Sequence, residues 1–215
     1  MKKYRGTIIL TSLITLLPIL AGMLLWDQLP DQIATHFGMD GTPNDWTSKG
    51  FTVFGIPVIL LGMHLLCCFF LFVDPKRQNM SEKLKNLVFW IFPVASIMVL
   101  ISCYGYELGY ELNIGLLSGI FAGTLFLIIG NYLPKCKQNY TMGIRLPWTL
   151  DDEENWNHTH RLAGFIWVLC GFIMLVNIFI GIEWLIFGLL AVMVLVPTVY
   201  SYLYYKKHGK KLEEN

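Results

Sequence analysis

The sequence predicts an all-α, polytopic integral membrane protein with six transmembrane helices and both termini in the cytoplasm. The first observation behind this is composition: 55% of residues are hydrophobic and only 14% are charged, far from the usage of a water-soluble domain. The second is run length. Apolar stretches of about 20 residues match a hydrocarbon core in which only a helix or a closed barrel satisfies every backbone group. The third is charge placement, because Lys and Arg gather in cytoplasmic loops. When the runs are threaded in alternation, all of the 16 basic residues except Lys49 fall on one face.

The runs are residues 6–25, 51–73, 87–106, 112–132, 162–180 and 183–204, and they leave a single membrane domain, 1–215, with little chain for anything else. The first run follows Lys2, Lys3 and Arg5 as a signal peptide would. It is too long for one and has no small-x-small cleavage site, so it reads as a retained helix. The cytoplasmic segments then hold Lys76, Arg77, Lys83 and Lys85, next Lys135, Lys137, Arg145 and Arg161, and finally Lys206, Lys207, Lys210 and Lys211. Asp27, Asp31, Asp40, Asp45, Glu107, Glu111 and Glu183 lie on the opposite, outer face. Such a face attracts cationic peptides through its long-range field, although acidic residues also simply populate the side where basic ones are disfavoured.

Within the runs, Pro18, Pro57, Pro93 and Pro197 are expected to bend helices by removing backbone donors. Gly115, Gly119 and Gly123 share one helix face and predict a close packing seam. His64 is the ionisable type deepest in a span and is expected to face the bundle and hydrogen-bond a neighbour. Cys67, Cys68, Cys103 and Cys170 fall in spans and Cys136 faces the cytoplasm, which argues against disulfides.

Two connections are longer than joining helices requires. The outer one, 26–50, carries Gly38, Gly41, Pro43 and Asn44 and reads as an ordered, turn-rich cap loop. His36 with Asp31, Asp40 and Asp45 follows no established metal-ligand spacing. The inner connection is the long polar stretch 130–161. There Thr149 is expected to N-cap a short helix with Asp151, Asp152, Glu153 and Glu154 in its first turn, complementing the helix dipole. His158 and His160 are two apart and diverge on a helix, unlike the i, i+4 pair of a zinc hydrolase. Arg145 and Arg161 are placed to pair with the acidic turn, contact lipid phosphates or present a docking surface. No cofactor or metal site is expected, and no span holds a Ser/His, paired-Asp or HExxH arrangement, so an enzyme is not expected either.

The inner stretch GNYLPKCKQNYTMGIRLPWTLDDEENWNHTHRLAGF resembles the signature of the SdpI family. The likeness rests on Gly130, Asn131, Leu133, Pro134, Asn139, Gly143, Arg145, Pro147, Trp148, Thr149, Leu150, Trp156, Thr159, His160, Arg161 and Gly164. The outer loop is similar to the DUF1648 segment that precedes it in full-length members, through Leu29, Pro30, Asp31, Ile33, His36, Phe37, Gly41, Pro43, Asp45 and Lys49. The resemblance implies a protein of the bacterial plasma membrane that gives the producing cell immunity to a secreted toxic peptide. In some members it also implies a receptor that holds a winged-helix repressor of the ArsR type at the membrane, with no direct contact to nucleic acid.

On that basis Asp31, His36, Asp45 and Lys49 are the candidate toxin-recognition residues. Asn131, Pro134, Asn139, Gly143, Arg145, Pro147, Trp148, Thr149, Trp156, Thr159, His160 and Arg161 are the candidate inner docking residues, with membrane lipid as the surrounding partner. For Pro147 and Trp148 the plainer reading is that they fold the loop against the membrane. The alternative function is a small transporter. Its sign is opposed halves that each open a long loop with Leu-Pro (Leu29-Pro30, Leu133-Pro134), whereas the polar midplane groups transport normally needs are few, little beyond His64 and Asn177.

Overall fold

The computed structural model describes residues 2–38 and 40–208, so Lys210 and Lys211 of the basic final segment lie outside the described residues. Among the described residues there are six helical stretches long and apolar enough to cross a membrane, Arg5–Leu24, Phe51–Val73, Glu82–Glu107, Ile114–Lys135, Glu153–Ile180 and Trp184–His208. The chain folds into two compact units, Met1–Val73 with Lys85–Ser118, and Asp74–Leu84 with Gly119–Asn215.

In the first unit the first span is broken into α1 (Arg5–Thr15) and α2 (Leu17–Leu24). Pro18, in the first turn of α2, has no N–H to continue the ladder. Side chains from elsewhere in the unit satisfy the carbonyls at the break: Ser96 Oγ donates to Thr15 O at 2.7 Å and Tyr104 OH donates to Pro18 O at 3.2 Å. The second span opens with a π-helical turn, Phe51–Gly55, and continues as α3 (Ile56–Val73). His64 on α3 is fully buried, with Nε2 3.0 Å from Thr11 Oγ1, so it faces the bundle and is hydrogen-bonded as expected. The third span runs through α4 (Glu82–Val99), a second π-helical turn at Leu100–Tyr104, and the short α5 (Gly105–Glu107).

Residues 26–50 are more regular than a turn-rich loop. They form an antiparallel hairpin of β1 (Gln32–Phe37) and β2 (Pro43–Ser48). Its register shifts on either side of His36, and Ile33 and Ala34, adjacent in sequence and on opposite faces of β1, are both fully buried. Leu29 and Ile33 pack with Val53, Cys103 and Tyr104 in the core of this unit. That burial holds a strand pair whose second member, PNDWTS, has little strand propensity of its own.

The second unit is built on α6 (Ile114–Tyr132, from Gly119 onward), α8 (Glu153–Ile180) and α9 (Glu183–His208). Helix α6 meets α8 backbone to backbone. A Cβ at Gly123 would lie 3.1 Å from Gly171 O, and one at Gly130 would lie 3.0 Å from Gly164 O. The predicted glycine seam is therefore real, but Gly130 extends it at one end while Gly115 belongs to the first unit. Asn177, read above as a polar residue within a span, instead closes the turn into α9: its side chain accepts from Ile182 N and donates to Ile182 O.

Candidate functional site

Residues 136–146 of the second unit are held by buried polar side chains in place of regular secondary structure. Asn139 Oδ1 accepts from Thr141 N at 2.9 Å and Met142 N at 2.7 Å, while its Nδ2 donates to Lys137 O at 2.9 Å. Trp156 Nε1 donates to Cys136 O at 2.7 Å, and Leu84 packs with Cys136 and Trp156. Burial pushes the Cys136 thiol above its ordinary pKa, against a smaller opposing effect of the Asn139 hydrogen bond.

The chain next turns at Gly143, whose φ of +105° lies in the left-handed region. There Ile144 N donates to His160 Nε2 at 2.9 Å. His160 Nδ1 lies 2.8 Å from Trp156 O and so must carry the proton, which fixes a neutral ring with its Nε2 lone pair turned to the loop. The ring also stacks on Trp156 with centroids 4.0 Å apart.

A short helix, α7 (Pro147–Asp151), follows. Its N-cap is Leu146, and not Thr149 as the sequence suggested, because Pro147 already supplies a first helical residue that needs no donor. Thr149 sits at the third position, where its hydroxyl accepts from Leu146 N at 2.9 Å and donates to Ile144 O at 2.8 Å. Asp152 caps α8, accepting from Glu154 N at 2.8 Å and Asn155 N at 3.2 Å, so only Glu153 and Glu154 of the acidic run occupy a first turn. Trp148 Nε1 donates to Ser201 Oγ on α9, and Asn155 Nδ2 donates to Ser201 O, both at 3.0 Å. Thr159 Oγ1 donates to Asn155 Oδ1 at 3.0 Å.

The segment 74–84 closes the other side of this loop. Asp74 is buried and accepts from Tyr140 N at 2.8 Å and Thr141 Oγ1 at 2.7 Å. Gln138 takes Lys76 Nζ on its side-chain oxygen, takes Asn79 Nδ2 on its backbone carbonyl, and donates to Leu150 O at 2.8 Å. Asp74, Gln138, Asn155 and Ser201 were not picked out by sequence reasoning. The one signal for Asp74 was its place at the end of an apolar run before Pro75.

The candidate inner residues thus divide into two groups. Asn139, Thr149, Trp156, Thr159 and His160 are buried inside the loop, and Trp148 is partly buried against Ser201 and Tyr202. Asn131, Pro134, Gly143, Arg145, Pro147 and Arg161 are exposed. The Arg145 guanidinium donates to Tyr140 O at 2.7 Å and is not held by the acidic run. Among the described residues no buried side-chain nitrogen or oxygen lacks a hydrogen-bond partner, so the buried group is complete without a ligand.

In the first unit the hairpin displays Asp31, His36 and Asp45 to solvent. His36 Nδ1 is 2.5 Å from Asn44 Oδ1, and Asp45 Oδ1 accepts from Trp46 N at 2.9 Å. Asp40 at the turn accepts from Thr42 N and Thr42 Oγ1, which holds its carboxyl below the usual range. Lys49 differs from these. Its ammonium donates to Trp26 O at 3.1 Å and lies 3.7 Å from Asp31 Oδ1, so it ties the hairpin's end to the chain leaving α2.

A domain model of unknown function, DUF1648, matches residues 13–61, which contain α2, the hairpin and the start of α3. The model of the SdpI/YfhL protein family matches residues 135–201. Immunity protein SdpI of Bacillus subtilis (strain 168) is 32% identical over 207 residues, covering 93% of this chain and 96% of that protein. The chain belongs to the SdpI/YfhL protein family. No solved structure matches it. The SdpI/YfhL match opens at Lys135, beside the first turn of the polar loop, and closes at Ser201, the α9 residue on which Trp148 and Asn155 converge.

Proposed function

We propose that this chain is a non-enzymatic immunity protein of the bacterial plasma membrane that protects the producing cell from a secreted toxic peptide. The observation that carries this is the near full-length similarity to a protein named for immunity, which spans the hairpin as well as the polar loop. Charge asymmetry supports a topology with both termini in the cytoplasm, the hairpin outside and the polar loop inside, since Lys49 alone among the 16 basic residues lies with the hairpin. In this reading Asp31, His36 and Asp45 meet the peptide, and Lys49 positions the hairpin that presents them.

The exposed inner residues Asn131, Pro134, Arg145, Pro147 and Arg161 form the surface on which a cytoplasmic winged-helix repressor docks. The buried ones, Asn139, Thr149, Trp156, Thr159 and His160, hold that surface in shape. Survival and membrane potential of sensitive bacteria exposed to the secreted peptide, with the wild-type chain against empty vector, test the immunity role. Protection by the chain is the expected result, and unaltered killing at matched membrane levels overturns it. Inner-face variants that protect fully yet leave a fluorescent repressor in the cytosol are expected if docking is separate from protection.

A further inference from the structure

The hairpin has two edges that differ in accessibility. Among the described residues its sheet has only two strands, in the order β1-β2. Lys49 N donates to Asp31 O at 2.8 Å, which makes that pair a bonded one and fixes the alternation along the ladder. One and three steps along the register from it, Gln32 with Ser48 and Ala34 with Trp46 are the non-bonded pairs, so their main-chain groups point away from the partner strand.

The outward amides of the Ala34 and Trp46 pair are each met by a carboxylate. On the β1 side Ala34, which is 0% exposed, donates to Glu107 Oε1 at 2.8 Å, and that edge is sealed by the third span. On the β2 side Trp46 is 49% exposed and, among the described residues, its N–H is held only by the side chain of the residue before it, Asp45, at 2.9 Å. At this edge Ser48 O already accepts from Thr52 Oγ1 at 3.2 Å, so the open stretch is the one at Trp46, where the cap is a local, solvent-exposed carboxylate that a competing carbonyl can displace.

We propose that the open edge of β2 receives an extended, cationic segment of the secreted peptide as an added strand. An incoming carbonyl takes the Trp46 N–H, and the Asp45 carboxylate so released pairs with a Lys or Arg side chain of the new strand. Charge complementarity selects a cationic partner: Asp31, Asp40 and Asp45 are exposed, while the nearby cation, Lys49, is already committed to Trp26 O and Asp31. The exposed Trp46 ring adds a face on which a cationic or aliphatic side chain can lie. The partner's origin rests on the immunity reading above.

The test uses the full chain in phosphatidylcholine nanodiscs with two fluorescent probes. One is an alternating Lys-Val octapeptide, and the other is the same peptide N-methylated at alternate residues, which keeps the charge and removes the donors of one edge. The unmethylated probe is expected to bind at least about tenfold more tightly, as loss of two or more main-chain hydrogen bonds implies. Asp45→Asn is expected to weaken that probe several-fold while preserving the discrimination. Equal affinity for the two probes, unchanged binding by Asp45→Asn, or binding no stronger than to empty nanodiscs overturns the proposal. Cells that are protected by a chain indifferent to N-methylation refute edge docking alone, and discrimination by a chain that protects no cell refutes the immunity reading alone.

Discussion

At Gly143 an added Cβ would run into His160 Nε2 and come within 3.1 Å of the Trp156 ring, at a φ of +105° that side chains rarely adopt. Gly143→Ala is therefore expected to cost about 1–3 kcal/mol in unfolding free energy measured in detergent micelles. Gly62→Ala, where no atom lies within 4 Å, is expected to be neutral or mildly stabilising. The sequence flagged Gly143 through its motif but not the reason, since its neighbours come from a helix that begins ten residues later. Asp74 shows the opposite failure, a buried anchor of the loop whose partners Tyr140 and Thr141 are more than 60 residues away. Cys136 gives a chemical readout of the same packing. Its raised pKa lowers the thiolate fraction near pH 8 and burial blocks access, so iodoacetamide is expected to leave Cys136 unmodified by peptide mapping until the protein is unfolded. Rapid native labelling would mean that the loop opens.

Among elements, α8 departs most from the hydropathy reading, starting at Glu153 and not near 162. Its first turns were legible only as a separate short helix with an acidic start, and not as part of the fifth span, because the face they bury is polar: Asn155, Trp156, Thr159 and His160 recur at helical spacing, but only Trp156 scores as apolar. Asp152 initiates this helix, and Asp152→Ala is expected to destabilise the unit by about 0.5–2 kcal/mol, with Asp152→Ser retaining most of the stability. A wild-type midpoint for Asp152→Ala in denaturant would show that the helix starts elsewhere. The hairpin was legible only as an ordered cap. Its turn residues are plain, but the bulge beside His36 breaks the alternation that marks a strand, and PNDWTS reads as loop by propensity.

Across the whole molecule, the six spans were legible because lipid imposes one simple demand, long apolar helices, that composition alone reveals. The role proposed for each loop rests on kinship, because the side chains that shape the loops act through partners distant in sequence. In the immunity reading proposed above, recognition lies on the exposed hairpin and loop architecture on the buried polar residues. These assignments separate most directly in survival of peptide-exposed bacteria expressing, at matched membrane levels, the wild-type chain, the combined hairpin variant Asp31→Asn/His36→Ala/Asp45→Asn, or Arg145→Ala. On this placement the wild type and Arg145→Ala are expected to protect while the hairpin variant leaves cells as sensitive as empty vector. Full protection by the hairpin variant would contradict it.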